Sequence, residues 1–75
     1  MNKTEALDLL KEIMFFCPTL NCEGFYTREI RSSPKGDVEL RLITSLDRDS
    51  KRNLNSLIAK HELKLIEEDN LLIIY

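Results

Sequence analysis

The chain has 75 residues, of which 43% are hydrophobic and 32% charged, and its formal net charge is −2. This length predicts one domain over residues 1–75, the composition excludes a disordered chain, and the apolar runs are too short to cross a bilayer. Without a secretory signal pattern, we expect a cytoplasmic protein that contacts no membrane, and the acidic balance argues against nucleic acid as a partner.

The first predicted element is an amphipathic helix over residues 4–16, which Pro18 ends because proline disfavours helical backbone in the residue before it. Its apolar positions recur at the spacing of one helical face, namely Ala6, Leu9, Leu10, Ile13 and Met14. Asn2 can cap the first turn, with Glu5 three residues later as the reciprocal partner. The helix should therefore bury one side against the rest of the chain.

A change from helical to alternating spacing predicts a β-hairpin next. Residues 24–32 are rich in aromatic and β-branched side chains, which favour a strand. Residues 33–36 read Ser-Pro-Lys-Gly, a sequence typical of a turn. The apolar positions that alternate with charged ones after this turn are Val38, Leu40 and Leu42, the pattern of a half-buried strand.

A second helix and a second hairpin complete the chain. Asp47, Asp49 or Ser50 can cap the helix, which is more polar than the first. Its apolar stripe consists of Leu54, Leu57 and Ile58. A strand with Leu63, Leu65 and Ile66 leads to a turn at residues 68–70, where Asp and Asn tolerate left-handed backbone, and then to the apolar run 71–75.

The element order is therefore α-β-β-α-β-β. We predict an α+β protein, a two-layer sandwich with a four-stranded, mainly antiparallel sheet and two helices on one face. In such a sheet the apolar run can hide only alternate residues, so Leu71, Ile73 and Tyr75 form one set and Leu72 and Ile74 the other. The set turned away from the helices should be a partner surface, and Leu72 and Ile74 are the predicted interface residues.

The two cysteines, Cys17 and Cys22, have several interpretations. They can be small buried apolar residues, a disulfide, or two ligands of a zinc site completed by His61 and carboxylates. A cytoplasmic location argues against the disulfide, and the Cys-x4-Cys spacing is loose for zinc, so we expect no metal and no cofactor. A reactive thiol is the last alternative, although Cys17 follows a helix C-terminus, where the dipole does not stabilise a thiolate.

Short motifs also resemble a known family. They are Cys17-Pro18, Pro34-Lys35-Gly36, the strand 38–43, Asp47 before a helix, and His61-Glu62-Leu63. In order and rough spacing, residues 17–75 resemble the TusA/SirA-type sulfur carriers. That resemblance implies a β-α-β-α-β-β order in which Cys17 stands exposed at a helix start and carries sulfur as a persulfide.

The middle third of the chain holds the basic excess. Arg48, Lys51 and Arg52 lie at the predicted start of the second helix, where cations oppose the dipole, so they could mark an anion site. Arg28, Arg31 and Arg41 could extend it. The alternative is a solvated face neutralised by neighbouring carboxylates. The single histidine, His61, suits a capping or packing role at a helix end better than catalysis, which needs an oriented partner.

These observations favour a protein–protein interaction domain without catalytic activity. We expect it to associate with itself through an exposed apolar sheet face. The first alternative is a sulfur-carrier-like protein using Cys17, and the second is an anion or nucleic-acid binder using the basic middle third. We expect the partner to be a protein or a second copy of this chain.

Overall fold

A computed structural model describes residues 1–18, 20–30 and 37–75. In chain order the elements are α1 (Lys3–Phe16), β1 (Gly24–Glu29), β2 (Val38–Ile43), α2 (Arg48–Lys60), β3 (Leu65–Glu68) and β4 (Leu71–Ile74). This order confirms the predicted α-β-β-α-β-β arrangement. The predicted turn at residues 33–36 lies outside the described residues, as does the end of the strand predicted over 24–32.

The four strands form one antiparallel sheet in the order β1-β2-β4-β3. The two hairpins thus meet through β2 and β4, which become the central strands, and β1 and β3 become the edges. Thr44, just after β2, donates its backbone N–H to the carbonyl of Asn70 just before β4, at 3.1 Å. The predicted four-stranded antiparallel sheet is confirmed.

Both helices begin with the side-chain caps expected from the sequence. At α1, the side-chain oxygen of Asn2 accepts the N–H of Glu5 at 2.8 Å, and the Glu5 carboxylate accepts the N–H of Asn2 at 3.3 Å. At α2, Asp47 accepts the N–H of Ser50 at 2.7 Å, so Asp47 is the cap among the three candidates. Each cap satisfies a backbone N–H that has no partner within the helix.

The core lies between the helices and one face of the sheet. The helices contribute Ala6, Leu9, Leu10 and Ile13 from α1 and Leu54, Leu57 and Ile58 from α2, and the sheet contributes Val38, Leu40, Leu42, Leu72 and Ile74. Both helices therefore cover the same face, as predicted. Each fully buried valine, leucine or isoleucine among them stabilises the fold by about 1.5–3 kcal/mol relative to exposure.

Leu72 and Ile74 are part of this core, with only 1% and 0% of their surfaces exposed. In the sheet Leu72 pairs with Leu42 and Ile74 pairs with Leu40, and both leucine partners are 0% exposed. The prediction that Leu72 and Ile74 form the partner surface is therefore wrong. Their side chains pack against the helices, and the other set, Leu71, Ile73 and Tyr75, lies on the opposite side of the sheet.

The closing hairpin has the predicted turn chemistry. Two residues, Asp69 and Asn70, join β3 to β4, and Asn70 adopts left-handed backbone with φ of 56°. Asparagine tolerates this conformation better than most residues. Among the described residues, neither helix is long and apolar enough to span a bilayer.

Candidate functional site

The strongest candidate is the side of the sheet turned away from the helices, here called the open face. Side chains alternate along a strand, so the residues between the core positions point to this side. Its large apolar members are Tyr26, Ile43, Ile66, Leu71, Ile73 and Tyr75. All four strands contribute to it, so the apolar surface crosses the whole sheet.

A single row of side chains crosses the middle of the open face. The strand register places Tyr26 opposite Arg41, Arg41 opposite Ile73, and Ile73 opposite Ile66. We call these four residues the central row. Ile73 is only 7% exposed, although it faces away from the core, whereas Ile66 at the row's end is 41% exposed. Apart from Arg41, the row is thus a small second apolar cluster whose outer members remain exposed.

Arg41 is held in a fixed position within the central row. Its guanidinium carbon lies 5.9 Å from the centre of the Tyr26 ring, within the range of a cation–π contact. Its Nε and one terminal nitrogen donate to the same carboxylate oxygen of Glu39, at 3.2 and 3.0 Å. Interaction with Tyr26, and to a lesser degree with Glu39, raises the pKa of Arg41 further, so it stays charged.

Charges of both signs surround the central row. On one side Arg28 faces Glu39 across β1 and β2, and Lys64 pairs through its backbone with Tyr75. On the other side Glu68 faces Leu71. The open face thus has a largely apolar middle, which Arg41 and Glu39 interrupt, and charged residues of both signs at its two ends.

Cys17 lies elsewhere, at the end of α1. It is the C-cap of that helix, it is 1% exposed, and its thiol donates to the carbonyl of Ser50 at 3.7 Å. Burial, and then the charge of Asp47, raise the pKa of the Cys17 thiol, which disfavours the nucleophilic thiolate. The exposed thiol at a helix start that a sulfur carrier requires is therefore not formed at Cys17.

The second cysteine does not bond to the first. Cys17 and Cys22 are both free thiols, and the Sγ of Cys22 lies 3.1 Å from the carbonyl oxygen of Gly24. His61 is instead paired with Glu12, its Nε2 lying 3.1 Å from a carboxylate oxygen. Within residues 1–18, 20–30 and 37–75, no three His, Cys, Asp or Glu side chains come close enough to hold a metal ion.

The predicted anion-binding residues all lie on the first turns of α2. Arg48, Lys51 and Arg52 are exposed there, and their i, i+3, i+4 spacing puts them on one side of the helix. Lys51 pairs with Glu67 of β3 at 3.2 Å, and Asp47 occupies the helix end with its own carboxylate. The three cations are thus close together, but the carboxylates of Asp47 and Glu67 already lie beside them.

Arg28 and Arg41, the proposed extensions of the anion site, belong to the open face on the other side of the sheet. Arg31 lies outside the described residues. The basic residues of the middle third therefore do not form one patch. Sequence reasoning missed the central row, because antiparallel pairing of the two predicted strands about a turn at 33–36 would place Tyr26 opposite Ile43, two residues from its actual partner Arg41.

No protein-family model, curated protein or solved structure matches this chain.

Proposed function

We propose that this protein is an interaction domain that binds a second copy of itself through the open face. The central row is the observation that carries this proposal, because it places a nearly buried Ile73 between two exposed apolar ends, Tyr26 and Ile66. Covering such a row removes apolar surface from water, at about 25 cal/mol for each Å².

The charges around the row support a two-fold arrangement of two copies. A symmetry axis along the central row places Lys64 of each copy over Glu68 of the other, and Tyr26, Ile73 and Ile66 over their own counterparts. It also places Arg41 over Arg41 of the other copy, and each of these guanidinium groups is already paired with Glu39 of its own chain at 3.0 Å. An axis parallel to the strands instead places Arg28 over Lys64, which is repulsive. Two-fold symmetric dimers, whichever of the two axes they use, are the commonest assemblies of a single chain.

The dimensions of the sheet predict how strong this contact would be. Four strands about 4.8 Å apart, with up to six residues at about 3.3 Å each, give a face of about 15 by 20 Å. Such a face lies below the ~800 Å² that each partner buries in a standard interface. We therefore expect weak association, with a dissociation constant in the micromolar range, and concentration-dependent behaviour.

The other two candidate functions lack comparable support. A persulfide carrier needs an accessible thiol, whereas Cys17 is buried with a raised pKa. An anion site on α2 would compete with Asp47 and Glu67, which already neighbour the cations. A reducing compartment such as the cytoplasm would suit a protein with two free thiols.

Sedimentation velocity over a wide concentration range tests the proposal. The wild-type protein should shift from monomer towards larger species as its concentration rises through the micromolar range. Ile66→Lys places a charge at the exposed end of the central row, and it should keep the protein monomeric at concentrations where the wild type associates.

Leu7→Lys is the matched control. Leu7 is exposed to a similar degree, 46%, but it lies on α1 on the opposite side of the sheet. This variant removes a similar amount of exposed apolar surface and should associate like the wild type. A wild type that stays monomeric throughout, or two variants with equal effects, would refute binding through the open face.

A further inference from the structure

The outer edge of β1 carries backbone groups that no strand of the described chain uses. Ile30 donates its N–H to the carbonyl of Asp37 at 2.9 Å, which shows that even-numbered residues of β1 point their backbone groups towards β2. Alternation in an antiparallel ladder then turns the N–H and C=O groups of Phe25, Thr27 and Glu29 outward. The edge thus offers three consecutive sites for pairing with another strand.

This edge lacks several of the devices that usually prevent pairing, although it carries two charged residues, Arg28 and Glu29. Natural edge strands carry proline, lysine or a bulge, or they are very short. β1 has six residues, reads Gly-Phe-Tyr-Thr-Arg-Glu, and pairs with β2 in an unbroken register from Gly24 to Glu29. By contrast, the opposite edge strand β3 has four residues, and Lys51 reaches its Glu67 from α2.

We propose that β1 pairs antiparallel with β1 of a second copy, with Thr27 opposite Thr27 of the partner copy. The outward backbone groups of β1 take no part in the open-face contact, and the two contacts share only the side chains of Tyr26 and Arg28, so the inference goes beyond the function proposed above. Thr27 has outward backbone groups, so the two threonines exchange a pair of hydrogen bonds at the symmetry axis. Opposed threonines are a favourable cross-strand pair.

The side-chain contacts favour this register over registers whose axis is shifted by one residue. With Thr27 at the axis, Tyr26 lies opposite Arg28 of the partner copy, and the same contact repeats by symmetry. Each Tyr26 ring, which already contacts Arg41 on one side, gains a second cation on the other. A shift that places Arg28 at the axis brings like charges together. A shift that places Tyr26 there leaves Arg28 opposite Gly24, which has no side chain to contact.

Edge pairing would join two sheets into one of eight strands with both open faces on the same side. The apolar surface available to further copies would therefore double in width. Because edge and face are different surfaces, a variant can remove one contact and leave the other intact. Failure of the edge contact is thereby distinguishable from failure of the face contact.

Disulfide trapping tests the register directly. In a Cys22→Ser background, which removes the partly exposed native thiol, single variants Thr27→Cys, Phe25→Cys and Glu29→Cys are oxidised under mild conditions. In the proposed register the two Cα atoms at position 27 are about 5.5 Å apart, within the range of a disulfide. At positions 25 and 29 each residue lies about 14 Å from its own counterpart, which is too far.

Covalent dimer should therefore form for Thr27→Cys and not for the other two variants. The same result is expected when Ile66→Lys is added, because the open face takes no part. Absence of dimer for Thr27→Cys, or equal dimer formation at all three positions, would overturn the proposal and leave the edge free for a strand of another protein.

Thr27→Pro provides a second test that needs no oxidation. The Thr27 N–H points outward, so proline removes a donor of the edge contact and no hydrogen bond within the monomer. The folded variant, checked by circular dichroism, should lose the largest species in sedimentation, whereas an unchanged distribution would contradict edge pairing.

Discussion

Replacing Ile74 with alanine should destabilise the protein by about 3 kcal/mol. Ile74 is 0% exposed, and it lies between Leu40 and Leu65 on the face that the helices cover. The substitution removes three carbon groups at about 0.8 kcal/mol each, and the cavity left behind adds to that cost. Measured costs for such substitutions range from about 2 to 5 kcal/mol.

Ile66→Ala is the matched comparison on the open face. The same three carbon groups are removed from the same kind of side chain, but Ile66 is 41% exposed and no enclosed cavity can form. We expect a loss of about 1 kcal/mol for this variant. The difference between the two substitutions reports which side of the sheet the helices cover.

Urea unfolding at a low protein concentration, where the monomer dominates, measures both values. A chain of this length has a free energy of unfolding of about 4–11 kcal/mol, so the Ile74→Ala variant should keep a measurable transition. At a slope of about 1 kcal/mol per molar urea, its midpoint should fall by about 3 M and that of Ile66→Ala by about 1 M. Equal shifts, or a larger one for Ile66→Ala, would refute the assignment of the two faces.

Two further predictions concern the junction of α1 and α2. The free energy of unfolding should decrease above pH ~8.5, by up to about 1.4 kcal/mol per pH unit, because the unfolded chain releases the Cys17 proton there while the buried thiol, with its raised pKa, retains it. Urea titrations at several pH values should show this decrease, and Cys17→Ala should lack that component; identical profiles would contradict it. Asp47→Ala should cost about 1 kcal/mol through loss of the helix cap, and Asp49→Ala much less, as thermal unfolding can check. An equal loss for both would mean that the cap contributes little.

The periodic parts of the fold could be predicted from the sequence because each spacing of apolar residues fits only one type of secondary structure. The helical spacing of apolar residues from Ala6 to Ile13 predicts a helix and also its buried side. The alternation from Val38 to Leu42 does the same for a strand. The capping box at Asn2 and the left-handed Asn70 followed from local chemistry, which needs no tertiary contact.

The final strand could not be assigned in the same way. Leu72 and Ile73 are both aliphatic, and an uninterrupted apolar run gives no indication of which alternate set faces the core. That choice depends on the pairing of β4 with β2, where Leu72 lies beside Leu42. The sheet order β1-β2-β4-β3 is a property of how the two hairpins meet, and the sequence of each hairpin alone does not determine it.

The site was harder to predict than the fold for a related reason. Cys17 and the arginines of the middle third were candidates because of their chemistry. The fold buries the Cys17 thiol, and it divides the arginines that the structure describes between two sides of the sheet. The central row joins residues from four strands that are far apart in the chain, from Tyr26 to Ile73. Such a surface becomes visible only once the register is known.

The position of Arg41 has a consequence for how tightly the open face would bind the proposed second copy. Immobilising a long side chain on binding costs about 0.5–1.5 kcal/mol, and arginine is among the most flexible. Here Tyr26 and Glu39 restrict Arg41 while the molecule is still free. The monomer is in this sense preorganised: part of the conformational entropy of the Arg41 side chain is already lost during folding, so the proposed contact would lose less of it on binding.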